Sequence, residues 1–398
     1  MLEPADGPIT PLRYFDHLAA ETLDRLFLQA PQAFHDTDIN SRQRLAYALG
    51  ATLYVPATRP DLAATITRRC LDGVRSMVID LEDAIADDEF EAGLSRTVEA
   101  LHALACTPAA GMLLFVRTRV AEDITRLARL LGGRSDVLTG FVIPKFTAES
   151  GAALAAVVEA SSLMGKHLFA MPVLESPELV YRETRDRQLL AIGDLLGRYR
   201  PHVLAARIGA TDMCGAYGIR RDRDLTIYDV SIISETISGI VNHLGRQDGS
   251  GLVVTGPVWE YFADHERMFR PMLRTTPFAD QDAVRFRQQL VSRDLDGLLR
   301  EITLDRANGI HGKTVIHPSH VAPVNALSAV THEEYLDALD ITAATAGGAR
   351  ASTYRNKMNE AKPHRNWADQ VIARASVFGV TNQGITFVDL LTELVTTN

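Results

Sequence analysis

The sequence is poor in cysteine and tryptophan, with three and two residues in 398. Cys70, Cys106 and Cys214 show no metal-ligand or redox spacing, which argues against a disulfide framework, a zinc ribbon or a dithiol centre. Unpaired thiols of this kind fit a reducing compartment. No apolar run approaches the roughly 20 residues that span a bilayer, and no apolar segment follows a basic start. The expectation is a soluble cytoplasmic protein. Positive charge is in deficit, 41 Lys and Arg against 50 Asp and Glu, for a formal charge of -9. That balance disfavours nucleic acid and anionic membranes as partners, yet it leaves room for a local basic pocket around a small anion. No Gly-x-Gly-x-x-Gly turn, P-loop or Ser-His-Asp arrangement is present. His311, His317 and His320 lack zinc-site spacing.

What is present is a repeated pattern. Short β-rich runs at Thr52–Val55, Ser76–Ile79, Met112–Val116, Phe141–Ile143, Leu168–Leu174, Val203–Ile208, Leu252–Val254 and Thr314–Ile316 are nearly all separated by helical patterns. Eight such runs predict a (β/α)8 TIM barrel, with an open doubly wound sheet as the alternative. The missing Gly-rich turn after the first strand favours the barrel. Residues 1–48 begin with Pro4, Gly7 and Pro8 and then turn helical; they read as an extension packed on the outside of a barrel spanning 49–325. Residues 326–398 carry helical patterns at Glu333–Thr345 and Trp367–Phe378 and lie beyond barrel closure, as a lid or an oligomerisation arm.

The apolar runs end abruptly in polar groups. In a barrel the C-terminal strand ends share one face, so these groups converge on one pocket. They are Arg59, Asp80, Glu82, Asp83, Arg117, Lys145, Glu175 and Asp212. Glu175 and Asp212, at successive strand ends, suit a hard cation such as Mg²⁺, which takes one or two carboxylates and completes its shell with water and substrate oxygens. Each alone would equally well cap a helix or pair with an arginine. Asp80-Leu81-Glu82-Asp83 packs three carboxylates into four residues, which requires a cation, a metal or water nearby. Arg117 ends a strongly apolar strand, where substrate carboxylate and internal ion pair are equally good partners. Lys145 has the same two readings. The glycines of Gly209-Ala210-Thr211 permit close backbone approach to a ligand. Arg220-Arg221-Asp222-Arg223 reads as a solvated loop, and Trp259, Tyr261 and Phe262 read as core aromatics rather than pocket walls.

These stretches together resemble the citrate lyase β-chain / HpcH–HpaI aldolase superfamily. The resemblance runs over about Leu53–Pro318 and rests on LYVPATRP, VIDLEDAI, FVRTR, VIPK, VLES, IGATDMCGAYG and GIHGKTVIHP, in that order. The N-terminal extension, GPVWEYF and the stretch NKMNEAKPHRNWADQVIARASVFGV resemble one branch, the C–C bond lyases of the TIM-barrel fold linked to bacterial tellurite-resistance and stress gene clusters. The resemblance implies Mg²⁺ held by Glu175 and Asp212, and Arg117 on a substrate carboxylate or acyl oxygen. It also implies Arg59, Lys145, Gly209, Ala210 and Thr211 around the substrate. Members of the wider superfamily bring a C-terminal acidic residue to a neighbouring subunit's site, a role that falls here on Glu360, with a local cap or ion pair as the alternative. The C-terminal arm has no obvious partner surface within the barrel, which points to a homo-oligomer. The chain departs from the common pattern at Arg119, Phe146-Thr147 and His320.

The expected function is therefore a Mg²⁺-dependent C–C lyase or aldolase acting on a small anionic β-hydroxy acyl or oxo-acid substrate, with a CoA thioester as one form of it. Glu82, Asp83 and Glu360 are the candidate general bases, and Arg117 and Mg²⁺ stabilise the enolate. Two rivals are a Mg²⁺-dependent acyl-CoA thioester hydrolase and a non-catalytic barrel that binds a nucleotide or acyl-CoA.

Overall fold

The computed structural model describes residues 11–35, 42–106, 111–134, 136–262, 293–344 and 347–396. Pro4, Gly7 and Pro8 lie outside them. Eight parallel strands, numbered here β1 to β8, form one sheet: β1 Ala51–Pro56, β2 Ser76–Asp80, β3 Leu113–Arg117, β4 Leu138–Ile143, β5 Phe169–Leu174, β6 Ala205–Ile208, β7 Val253–Thr255 and β8 Lys313–Val315. β1 pairs with β2 on one side and with β8 on the other. The ring closes between β7 and β8 at a parallel bridge from Gly256 to Lys313. There the Gly256 N–H donates to Gly312 O at 3.1 Å and the Thr314 N–H to Gly256 O at 3.2 Å. The expected TIM barrel is the fold found. β4 starts three residues earlier than its apolar run suggested, and β6 starts two later.

Alternation along each strand sorts side chains onto two faces. Leu53, Val55, Ile79, Leu114 and Val116 face outward and pack with Ile66, Leu94, Leu101, Ile124 and Leu127 of the surrounding helices. Val78, Phe115, Met171 and Val173 face inward. The inner set is continuous with Tyr14, Phe15, Leu18 and Phe27 from the N-terminal segment. That segment, expected on the outside of the barrel, packs at the N-terminal ends of the strands. The Tyr14 hydroxyl donates to Ala48 O at 2.7 Å, just before β1, and its ring meets Phe378 at 4.4 Å. A short aromatic-rich segment does this because the strand bottoms expose inward-facing apolar side chains that need a cover.

The C-terminal region completes the same base. Val380–Thr381 pairs antiparallel with Phe27–Gln29. Helices His332–Ala343 and Arg365–Phe378 share an apolar seam of Ala338, Ile341, Ala368, Val371 and Ala375. These helices are an arm beneath the barrel and do not form a lid over its own strand C-termini. Between them runs a hairpin, Ala349–Ala351 with Met358–Glu360.

Two glycines test the sheet and helix packing. A Cβ at Gly140 would lie 1.9 Å from the Phe169 carbonyl oxygen across the β4–β5 pair, whereas one at Gly197, in helix Arg182–Arg198, meets nothing within 4 Å. Gly140→Ala is expected to lower unfolding stability by about 1–3 kcal/mol. Gly197→Ala is expected to be neutral or stabilising by about 0.5–1 kcal/mol. Urea titration of the two variants checks both signs.

Candidate active site

The site starts from two neighbouring strand ends. Asp80 and Arg117 are in-register partners on β2 and β3. Their side chains meet in a two-point ion pair, Nε to Oδ1 at 2.7 Å and Nη2 to Oδ2 at 2.6 Å. Asp80 is 2% exposed. The planar guanidinium fork matches a carboxylate in this way, and a charge so buried needs it. Arg117 Nη1 extends to Glu82 at 3.0 Å and Asp83 at 3.3 Å. Lys145 Nζ meets Glu82 and lies 3.5 Å from Asp83. The acidic run at the end of β2 is thus held by two cations, one ending β3 and one just after β4. Of the two partners open to Arg117, the structure supplies the internal one. Burial pushes the Glu82 carboxyl up, while Arg117 and Lys145 pull it back. Burial likewise opposes charge on Asp83, but its hydrogen bond with Glu82 and the two cations hold its pKa below the ordinary value.

Lys145 does more than pair. Its backbone takes a left-handed φ of +48°, rare for a residue with a Cβ. Its N–H donates to Glu175 Oε1 at 2.7 Å. Glu175 follows β5 and is 3% exposed. Burial raises its pKa to about 8, and the Asp212 carboxylate adds to that rise against the Lys145 N–H and Arg117. Asp212 is raised too, first by burial and then by Asp83. Two carboxylates that each resist ionisation beside one another form a donor set that a divalent cation satisfies. The backbone is fitted to this arrangement, since a Cβ at Gly209 would fall 1.9 Å from Glu175 Oε2. The residues present therefore fit Mg²⁺.

The remaining expected residues fall in different places. Gly209 donates its N–H to Leu174 O at 3.1 Å, and Ala210–Gly215 continues as a helical turn carrying Asp212. Thr211 donates to Glu260 at 2.9 Å. Arg59 is drawn to Asp61 at 3.1 Å and Thr65 at 3.0 Å, at the start of the helix after β1. Glu360 lies in the arm hairpin, opposite Ala349, with its N–H donating to His364 Nδ1 at 3.1 Å. It does not join Glu82 and Asp83 within one chain.

Comparison with known proteins fixes the family. A model of the C–C bond lyases of the TIM-barrel fold matches residues 43–380. The chain belongs to this family. No curated protein matches the sequence. Among solved structures, a citrate lyase from Burkholderia xenovorans LB400 superimposes with a TM-score of 0.57 at 15% identity, covering 86% of this chain and 95% of that one. CitE from Mycobacterium tuberculosis, in complex with magnesium, acetoacetate and coenzyme A, gives a TM-score of 0.51 at 20% identity over 82% of this chain and 97% of that one. At such identities the likeness is one of fold.

In this C–C bond lyase, several residues around the site escaped the sequence reading. Arg207 on β6 is 1% exposed inside the barrel, beneath the mouth. It donates to the hydroxyls of Thr52 and Thr314, and its guanidinium lies 5.7 Å from the Tyr54 ring. Arg117 lies 5.4 Å from the same ring. An arginine inside an apolar strand was the available signal. Arg221 corrects the solvated-loop reading: it is 4% exposed, pairs with Glu301 and stacks over Trp259 at 4.7 Å. Trp259 is core as expected, but Phe262 is 43% exposed and stacks flat on His317 at 4.6 Å.

Two outcomes follow from this geometry. Gly209→Ala is expected to keep the fold and weaken Mg²⁺ binding at least about tenfold, because the new Cβ occupies the place of Glu175 Oε2; titration calorimetry against wild type checks it. Arg117→Met is expected to cost about 3 kcal/mol of stability by leaving Asp80 buried without its partner. The double variant Asp80→Asn/Arg117→Met is expected to recover most of that loss, read by chemical denaturation.

Proposed function

We propose that this C–C lyase is Mg²⁺-dependent and cleaves, or in reverse forms, the bond next to the carbonyl of a small anionic β-hydroxy acyl or oxo-acid compound. The observation that carries the reading is the Glu175–Asp212 pair, two adjacent strand-end carboxylates both pushed toward the protonated form, with Gly209 shaped around one of them. Bound there, Mg²⁺ would supply Lewis-acid polarisation of the substrate carbonyl and a template for its oxygens. The magnesium, acetoacetate and coenzyme A of the CitE neighbour agree with this choice of metal and substrate class, and admit a CoA thioester as one form of it.

The chain's own residues divide the remaining work. The Glu82–Asp83 pair sits between Arg117 and Lys145 and receives the proton of the substrate's β-hydroxyl. As that proton leaves, the hydroxyl carbon becomes a carbonyl, the C–C bond breaks, and its electrons pass to the acyl oxygen as an enolate. Arg117 and Lys145 supply the positive potential facing that charge. Asp80 fixes the Arg117 fork so that only Nη1 is directed toward the acids and the substrate. Arg207 and Tyr54 form a buried floor whose cation favours an anionic ligand. Glu360 enters the reaction only if the arm of a second copy reaches this mouth.

Incubation with Mg²⁺ and a panel of β-hydroxy acids, oxo-acids and their CoA thioesters, followed by product analysis, tests the reading. The expected products are two carbon fragments, with at least about 100-fold loss of rate in both Glu175→Ala and Asp212→Ala. A free acid plus CoA, with no carbon–carbon fragment, would show a hydrolase instead.

A further inference from the structure

The arm meets the barrel over a small cleft walled by Tyr47, Arg306, His311, Ser328, Arg374 and Phe378. It lies at the N-terminal ends of the strands, since Tyr47 ends the helix before β1 and His311 precedes β8. Two guanidiniums line it from different elements. Arg306 comes from the last turn of helix Arg293–Ala307, and Arg374 from helix Arg365–Phe378 of the arm. They share one carboxylate: Glu334 receives Arg306 Nη2 at 2.6 Å and Arg374 Nη2 at 3.2 and 3.3 Å. The nearby Asp305 is committed to Lys313 at 2.8 Å and to the Tyr228 hydroxyl at 2.7 Å.

Asp305 also lines the cleft but is taken up by Lys313, so Arg306 and Arg374 share the one carboxylate of Glu334, at a place where Arg374 is only 7% exposed. The Arg374 Nε–H is fully enclosed and has no acceptor among the described residues. A buried donor on a charged group is costly to leave unmade. Burial, reinforced by Arg374 and Arg306, lowers the His311 pKa to about 3, so its imidazole is a neutral wall with an N–H to offer. The burial and the second guanidinium likewise lower Arg374 to about 10. In both, burial is the larger cause and a neighbouring guanidinium adds to it.

We infer that this cleft binds a small inorganic anion, chloride or a single phosphate, held by the Arg374 Nε–H and the Arg306 guanidinium. The anion balances the second cation and satisfies the orphaned donor. It also links the arm helix to the barrel helix and to the start of β8, so it acts on arm docking and not on the chemistry at the opposite end of the barrel.

Thermal unfolding of the full chain in sodium gluconate, chloride and phosphate, at fixed pH and matched ionic strength, tests the site. The expected result is a saturable rise in Tm with chloride or phosphate, about 2 °C or more at tenfold excess over Kd, and none with the bulky gluconate. A response to phosphate alone identifies an oxyanion site, and a response to chloride alone a halide site. Arg374→Gln is expected to abolish the rise. Ser328→Leu keeps both arginines but fills the cleft, and is expected to abolish it as well, so it decides the matter should Arg374→Gln fail to fold. Superimposable series in the three salts, or a wild-type response in a folded variant, would overturn the inference.

Discussion

The two-point pair between Asp80 and Arg117 is the constraint on which the mouth of this barrel depends. It joins in-register neighbours on β2 and β3, and both side chains point into the barrel. With Asp80 neutralised in this way, Glu82 and Asp83 become the acids that Arg117 Nη1 and Lys145 must hold. Lys145 reaches them only by adopting a left-handed backbone, and that same turn aims its N–H at Glu175. Five carboxylates and two cations thus face one mouth, leaving a like-charge repulsion that, with burial, opposes ionisation of Glu175 and Asp212 together. A divalent cation is the simplest species that removes it.

The two ends of the barrel have separate duties. The C-terminal strand ends carry the charged network, while the N-terminal ends are covered by the segment around Tyr14 and by the arm. The arm's position explains how a chain with one barrel uses its remaining residues: they enclose apolar strand bottoms and bring Arg374 against Arg306. Among the described residues they do not cover the mouth, which suits an enzyme whose ligand must enter there.

Much of this was legible in the sequence because of its punctuation. Strands buried on both faces read as short apolar runs, and each stops at or just before a polar group, so Asp80, Arg117, Lys145, Glu175 and Asp212 could be assigned to one face from the sequence. Residues whose role depends on a distant partner could not. Arg221 sits among charged neighbours that look solvated, and only Glu301 and Trp259 make it buried. Arg207 interrupts an apolar run without ending it, so its place inside the barrel was missed. The helical pattern of the arm gave its amphipathic faces but not the end of the barrel they would cover. Its Glu360 is accordingly remote from its own mouth.

The central claim is that Glu175 and Asp212 together hold the metal. The most direct measurement is a crystal of the full chain soaked with Mn²⁺, a stand-in for Mg²⁺ with an anomalous signal, together with crystals of Glu175→Ala and Asp212→Ala soaked identically. The account predicts one strong anomalous peak within about 2.0–2.3 Å of a carboxylate oxygen from each residue, and no peak there in either variant. A peak held by Glu82 and Asp83 instead, or one that survives both substitutions, would contradict it.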